Sequence, residues 1–262
     1  MFRETVPSTV ASIPRLSNLR SRRRDILELT IGYGLILIVL WTPRSFQRPL
    51  YLVAVAWILA ASVLSFDGWT TAGLRPSRPN RSLWPLGLAL LLASCSVIFA
   101  LRLGTLHLPP RGSASFIKAF WGYTIWSFVQ QFLLQCFVLL RLLRILPTQR
   151  SAIIAAAGLF AIAHLPNPLL TVITLVWGFA ACSIFLRYRN LYTLGVMHAV
   201  FGISLAITVP GPISRNMRVG LGYLRYPATH RLHLSQSDHT VSTEAWVIAA
   251  APTLRSSRHD RP

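Results

Sequence analysis

Five polar residues lie inside apolar stretches long enough to be buried in a membrane, and their chemistry suits the handling of water and protons. They are Gln130, Gln131 and Gln135 in the run Trp121–Leu140, and His164 and His198 in two later apolar runs. Polar side chains at membrane depth are costly unless they pair, line a cavity or serve a function. Imidazole exchanges protons near neutral pH, whereas an amide only donates and accepts hydrogen bonds. These five residues therefore form the candidate site.

The run Trp121–Leu140 carries a polar stripe when it is placed on a helix. The members of this stripe are Thr124, Ser127, Gln131 and Gln135. They recur with helical spacing, so they share one face, and that face must contact protein or water rather than lipid. Interhelical hydrogen bonding is one interpretation of the stripe. The other is a polar cavity in which the glutamines and the two histidines, from three separate runs, come together.

The composition indicates an all-α, polytopic membrane bundle. Hydrophobic residues make up 53% of the 262-residue chain and charged residues only 13%, against roughly a quarter in soluble domains. The apolar runs are continuous, so they do not fit the alternating strands of a barrel. These runs are Ile26–Trp41, Leu50–Phe66, Leu83–Leu101, Trp121–Leu140, Ala152–His164, Leu169–Leu186 and Leu191–Val209. Because Gly104–Ala119 could hold a further short element, we predict seven to eight transmembrane helices.

The charge distribution predicts a protein of the cell membrane with a cytoplasmic N-terminus. The net charge of +19 comes from 25 arginines, one lysine and seven acids. The arginines lie mainly between the apolar runs and in the N-terminal flank, which fits cytoplasmic loops against anionic lipid better than nucleic-acid binding. We divide the chain into a basic N-terminal segment (1–25), N-terminal transmembrane helices (26–118), a core (119–212) and a polar tail (213–262).

The two histidine motifs resemble those of a known family. Phe160-x-x-x-His164 followed by Leu-Pro-Asn-Pro, and His198 in a later helix, are similar to the second and third motifs of the CPBP (ABI) family. That family includes the type II CAAX prenyl endopeptidases. Its first motif, Glu-Glu-x-x-x-Arg on the preceding helix, is replaced here by Gln130-Gln131-Phe-Leu-Leu-Gln135. Gly73-Leu74-Arg75 after the second run also looks like a family landmark.

The resemblance implies an intramembrane endopeptidase that hydrolyses membrane-anchored substrates with a water activated in a polar cavity. In the family the first Glu activates the water, while two His and an Asn orient it and stabilise the oxyanion. Carried over, Gln130 occupies the base position and Gln131 that of the second Glu, while His164 and His198 match. Gly202 stands where the Asn would be. The implied catalytic residues are therefore Gln130, Gln131, His164 and His198.

The glutamines leave the activity of this chain open. Glutamine cannot take a proton near neutral pH, so it cannot act as a general base. The chain is then either an active endopeptidase whose first motif differs from that of the family, or a non-catalytic binding or scaffold protein. A small transporter or channel is a weaker alternative, because inverted repeats are not apparent. We expect no cofactor, although His164 and His198 could hold a divalent metal with Gln130 or water. The expected partners are a membrane-anchored peptide or protein and the lipid bilayer.

Overall fold

The computed structural model describes residues 13–76, 81, 83–108 and 113–226, which form helices and turns with no strand among them. The helices are α1 (Ile13–Trp41), α2 (Arg44–Leu64), α3 (Leu83–Leu103), α4 (Ser113–Phe132), α5 (Leu140–Ile145), α6 (Gln149–Ile162), α7 (Pro168–Tyr188), α8 (Leu191–Thr208), α9 (Gly211–Ser214) and α10 (Gly220–Leu224). A π-helical segment, Leu133–Leu139, joins α4 to α5. The predicted all-α class is confirmed.

Five continuous helical stretches are long and apolar enough to cross a membrane. They are α2, α3, α7, α8 and the stretch Phe116–Ile145 that runs through α4, the π-helical segment and α5. The apolar helix α6 is shorter, and α1 carries charges in its first half. Within the described residues no separate helix lies between Leu103 and Ser113, so the bundle consists of seven long elements.

Several element boundaries differ from the apolar runs, among them the starts of α1, α2 and α4. Helix α1 begins at Ile13, well before the predicted Ile26, because arginine favours helix although it interrupts an apolar run. At the other end, short helices continue to Leu224, into the segment predicted as a polar tail. Residues 1–12 and 227–262, which hold the rest of the basic segment and of that tail, lie outside the described residues.

An ion-pair network joins the middle of α1, the turn after α2 and α5. Arg144 pairs with Asp25 and with Asp67, each at 2.7 Å, and the buried Arg141 pairs with Glu28 at 2.8 Å. These are all the carboxylates among the described residues, and each is engaged by an arginine. The network holds these three parts of the chain together on one side of the bundle, and none of these acids lines the cavity described below.

The turn at Gly73 seats the α2–α3 connection on the turn between α7 and α8. Gly73 has a φ of +70°, and a Cβ at this position would collide with the Phe185 ring and lie 3.2 Å from the Arg189 backbone. Its carbonyl accepts a hydrogen bond of 2.9 Å from Leu191 N–H. Only glycine combines this backbone conformation with so close an approach. The predicted landmark Gly73-Leu74-Arg75 therefore lies where the α2–α3 connection packs on the α7–α8 turn, on the same side of the bundle as the ion pairs.

The opposite side of the bundle is held by backbone hydrogen bonds. His107 N–H, just after α3, donates to Ile207 O near the end of α8 at 2.8 Å. Gly220 N–H, at the start of α10, donates to Leu165 O just after α6, also at 2.8 Å. The long elements therefore alternate in direction along the chain. Helix α8 packs against α3 and α4, and α6 packs along α7, which brings the elements that carry the candidate residues together.

Candidate active site

A single cavity of about 1180 Å³ collects most of the candidate residues. Its walls are mainly apolar side chains of α1, α2, α3, α4, α6, α7 and α8, and Gln130, His164 and His198 line it. Gln131 does not line this cavity. It is fully buried, behind His198. The structure thus brings Gln130 and both histidines to one cavity. Gln131 is separated from the cavity by His198, which it contacts.

A chain of two amides fixes the tautomer of His198. Gln135 Nε2 donates to Gln131 Oε1 at 3.1 Å, so the Gln131 amide presents its nitrogen to His198. Gln131 Nε2 lies 3.0 Å from His198 Nδ1. In this orientation of the Gln131 amide its nitrogen donates, so Nδ1 accepts and the ring proton lies on Nε2. His198 therefore offers an N–H donor through Nε2.

A backbone carbonyl fixes the opposite tautomer in His164. His164 Nδ1 lies 2.7 Å from Phe160 O, one helical turn earlier. A carbonyl oxygen only accepts, so Nδ1 carries the proton and Nε2 keeps a lone pair. The Phe160 ring lies beside both histidines, with ring centroids 4.8 Å from His164 and 6.0 Å from His198. The same residue therefore orients one histidine through its carbonyl and packs its ring beside both.

The two histidines give the cavity one proton acceptor and one hydrogen-bond donor. Both side chains are largely buried, with exposed fractions of 8% for His164 and 6% for His198. Neither Nε2 atom has a hydrogen-bond partner among the described residues. A water in the cavity could donate a proton to His164, and a carbonyl oxygen there could accept a hydrogen bond from His198. This is the pair of functions needed to activate water and to stabilise developing negative charge.

The predicted polar stripe divides into two parts with different roles. The Thr124 and Ser127 hydroxyls bond to carbonyl oxygens four residues earlier in their own helix, at 3.0 and 2.9 Å. They are satisfied locally. Gln131 instead reaches across to His198 on α8, and Gln135, in the π-helical segment, donates to Gln131. The hydrogen bond from Gln131 therefore joins two helices and also sets the His198 tautomer.

A segment within the predicted polar tail completes the cavity wall. Asn167 caps α7 by accepting a hydrogen bond from Leu170 N–H at 3.2 Å. Its Nδ2 donates to Ser214 O at 2.9 Å and to Arg218 O at 3.1 Å, so it holds the segment that follows α8. As a result residues 216–219 line the cavity. A single amide thus folds this segment back over the site.

Two aromatic residues near the histidines were not singled out from the sequence. Trp177 lies with its ring centroid 5.9 Å from that of His198, and Tyr123 lines the same cavity. Aromatic residues inside apolar runs ordinarily signal core packing, so neither position stood out. The only sequence signal was the glycine at 202, where the family carries a larger polar residue.

The donor set at the cavity does not suit a metal ion. Among the described residues no group of three or more His, Cys, Asp or Glu side chains lies together. His198 also presents a proton rather than a lone pair through Nε2, because Gln131 occupies its other nitrogen. Structural and catalytic zinc sites use at least three protein ligands with free lone pairs. The residues present fit proton transfer better than metal binding.

Comparison with known proteins supports the resemblance read from the motifs. Residues 112–204 match the model of a family described as type II CAAX prenyl endopeptidase Rce1-like. The matched segment contains the glutamine cluster, both histidines and Gly202. No curated protein and no solved structure matches the chain. The likeness to this family is confirmed over the segment that builds the histidine side of the cavity.

Proposed function

We propose that this protein is a membrane-embedded peptide hydrolase in which His164 has taken over the role of general base. The match of residues 112–204 to the CAAX endopeptidase-like family supplies the class of reaction. The observation that carries the proposal is the pairing of opposite tautomers, His164 with a free lone pair and His198 with a free N–H, in one cavity. His164 would thereby take the role of the family's missing glutamate, and His198 would stabilise the oxyanion.

The proposed reaction is the hydrolysis of a peptide bond by a water held beside His164. The water oxygen attacks the carbonyl carbon while His164 Nε2 takes up the water proton, and the carbonyl π electrons move to oxygen. His198 Nε2–H donates a hydrogen bond to that oxyanion. When the C–N bond breaks, the proton on His164 passes to the leaving nitrogen, giving a free acid and an amine. A positioned base typically contributes on the order of 10²–10⁴ in rate.

The glutamines have positioning roles in this scheme. Gln130 lines the cavity, where its amide can hold the water or the substrate backbone by hydrogen bonds without taking a proton. Gln131 lies behind His198 and keeps the proton of that ring on the nitrogen that faces the substrate. Gln135 orients Gln131 in turn. Replacement of the acids by amides therefore leaves a hydrogen-bonded relay that is neutral throughout.

The proposed substrate is a peptide or protein anchored in the membrane near the scissile bond. A largely apolar cavity of about 1180 Å³ can receive a lipid anchor or apolar side chains together with a stretch of peptide. The surrounding helices are apolar enough to span a bilayer, which supports a location in the cell membrane. The basic first half of α1 supports a cytoplasmic N-terminus.

The experiment is hydrolysis of a quenched fluorescent peptide carrying an isoprenylated cysteine, by purified protein reconstituted in liposomes. We expect turnover by the native protein, its loss in both His164→Ala and His198→Ala, and no effect of a chelator. Binding of the peptide by native protein without turnover would favour the scaffold function instead. Loss of turnover on chelation would contradict the metal-free mechanism. Turnover that survives both alanine substitutions would show that the site is elsewhere.

A further inference from the structure

Gly202 leaves room on α8 for the hydroxyl group of a residue from another helix. A Cβ built at Gly202 would overlap the hydroxyl oxygen and the ring edge of Tyr123, which lies on α4. Helices α4 and α8 pack along each other, and both residues line the cavity. A side chain at position 202 and the Tyr123 hydroxyl therefore compete for the same volume. In this chain the tyrosine occupies it.

The hydroxyl lies against the position on α8 that is one turn after His198. Gly202 follows His198 by four residues, so the two positions share a face of α8 and lie about 6 Å apart along the axis. A phenolic hydroxyl is a hydrogen-bond donor that is neutral at physiological pH. The cavity wall thus carries the Nε2–H of His198 and, one turn along, the O–H of Tyr123.

We infer that Tyr123 is a catalytic residue whose hydroxyl donates a second hydrogen bond to the oxyanion formed in the proposed hydrolysis. This inference rests on the proposed function. As water attacks, the carbonyl oxygen gains the π electrons, and two neutral donors from different helices stabilise it more than one. The Tyr123 proton stays on its oxygen throughout, so no further co-reactant is needed. Loss of one such donor typically lowers kcat on the order of 10²–10³-fold.

The direct test is Tyr123→Phe, which keeps the ring and its packing and removes only the hydroxyl. We expect kcat for the isoprenylated peptide to fall roughly 10²–10³-fold with little change in KM. Tyr192→Phe is the matched control, because Tyr192 lies on α8 but is 51% exposed and outside the cavity lining. If Tyr123 only packs against Gly202, Tyr123→Phe will leave kcat unchanged. That result would overturn the inference.

The competition between the two positions gives a second, independent test. Gly202→Asn alone should lower stability and activity, because its Cβ overlaps Tyr123. Combining it with Tyr123→Ala removes that clash and brings an amide donor from α8 itself. We expect the double variant to hydrolyse the peptide at least about ten times faster than Tyr123→Ala alone, with recovered thermal stability. A double variant no faster than Tyr123→Ala would count against the donor role.

Binding of a phosphinate peptide separates failure of this inference from failure of the proposed function. Such a peptide mimics the tetrahedral oxyanion, whereas the uncleaved peptide mimics the ground state. Native protein should bind the phosphinate more tightly, and Tyr123→Phe should weaken only that binding. If native protein neither hydrolyses the peptide nor prefers the phosphinate, the hydrolase proposal falls and this inference with it. If native protein does both and Tyr123→Phe does the same, the inference alone is refuted.

Discussion

Glu28→Gln should destabilise the fold strongly, because it leaves a buried arginine without its counter-charge. The Arg141 side chain is 1% exposed and contacts Glu28 Oε2 through Nε at 3.1 Å and through a terminal nitrogen at 2.8 Å. Its other hydrogen bonds go to backbone carbonyls of Phe137 and Ala61, each at 2.9 Å. Those carbonyls are neutral acceptors and cannot balance the charge. Breaking a buried pair by removing one partner typically costs about 3–5 kcal/mol.

Thermal unfolding in detergent, followed by tryptophan fluorescence, measures this effect. A loss of that size should lower the midpoint by roughly 6–20 °C in a chain of this length. Asp67→Asn is the control: the Asp67 side chain is 52% exposed, so its pair with Arg144 should contribute no more than about 1 kcal/mol. Replacing both partners by apolar residues, Glu28→Leu with Arg141→Met, should recover most of the stability. Equal, small shifts for Glu28→Gln and Asp67→Asn would refute the reasoning.

Three further predictions concern the cavity. In Gln130→Glu the new carboxylate should serve as base, so the acid limb of the rate profile should move to lower pH than in the native protein, since a carboxylate loses its proton at lower pH than an imidazole; an unchanged profile would contradict it. Gln131→Leu should lower kcat on the order of tenfold or more while the peptide still binds, because the His198 proton is no longer held on Nε2; an unchanged kcat would remove the orienting role. Asn167→Ala should raise KM and increase proteolytic cleavage near residue 218, since it releases the segment that closes the cavity; unaltered protease sensitivity would contradict it.

The apolar runs predicted most of the fold because membrane burial is encoded locally. Continuous hydrophobicity is sufficient to place α2, α3, α7 and α8 to within a few residues, except at the start of α2. The start of α1 was misplaced because charged residues end an apolar run without ending a helix. The partner of Arg141 was equally hidden, since Glu28 lies 113 residues earlier and no local pattern joins them.

The candidate site was predicted in its residue types and only partly in its geometry. Motif order places Gln130 near the two histidines, and the structure brings them to one cavity. Motif order could not show that Gln131 lies behind His198, because that depends on how α4 turns into its π-helical segment. It also could not show Tyr123, since the gap left by a glycine is filled from another helix only in three dimensions.

The tautomers of the two histidines are the observation on which the proposed mechanism depends, and they can be measured. Solid-state NMR of protein labelled with ¹⁵N-histidine in lipid distinguishes protonated from unprotonated ring nitrogens, and His164→Asn and His198→Asn variants assign the signals. We predict a neutral His164 with its proton on Nδ1 and a neutral His198 with its proton on Nε2. The same tautomer in both rings would contradict the account, because the cavity would then lack either its proton acceptor or its donor.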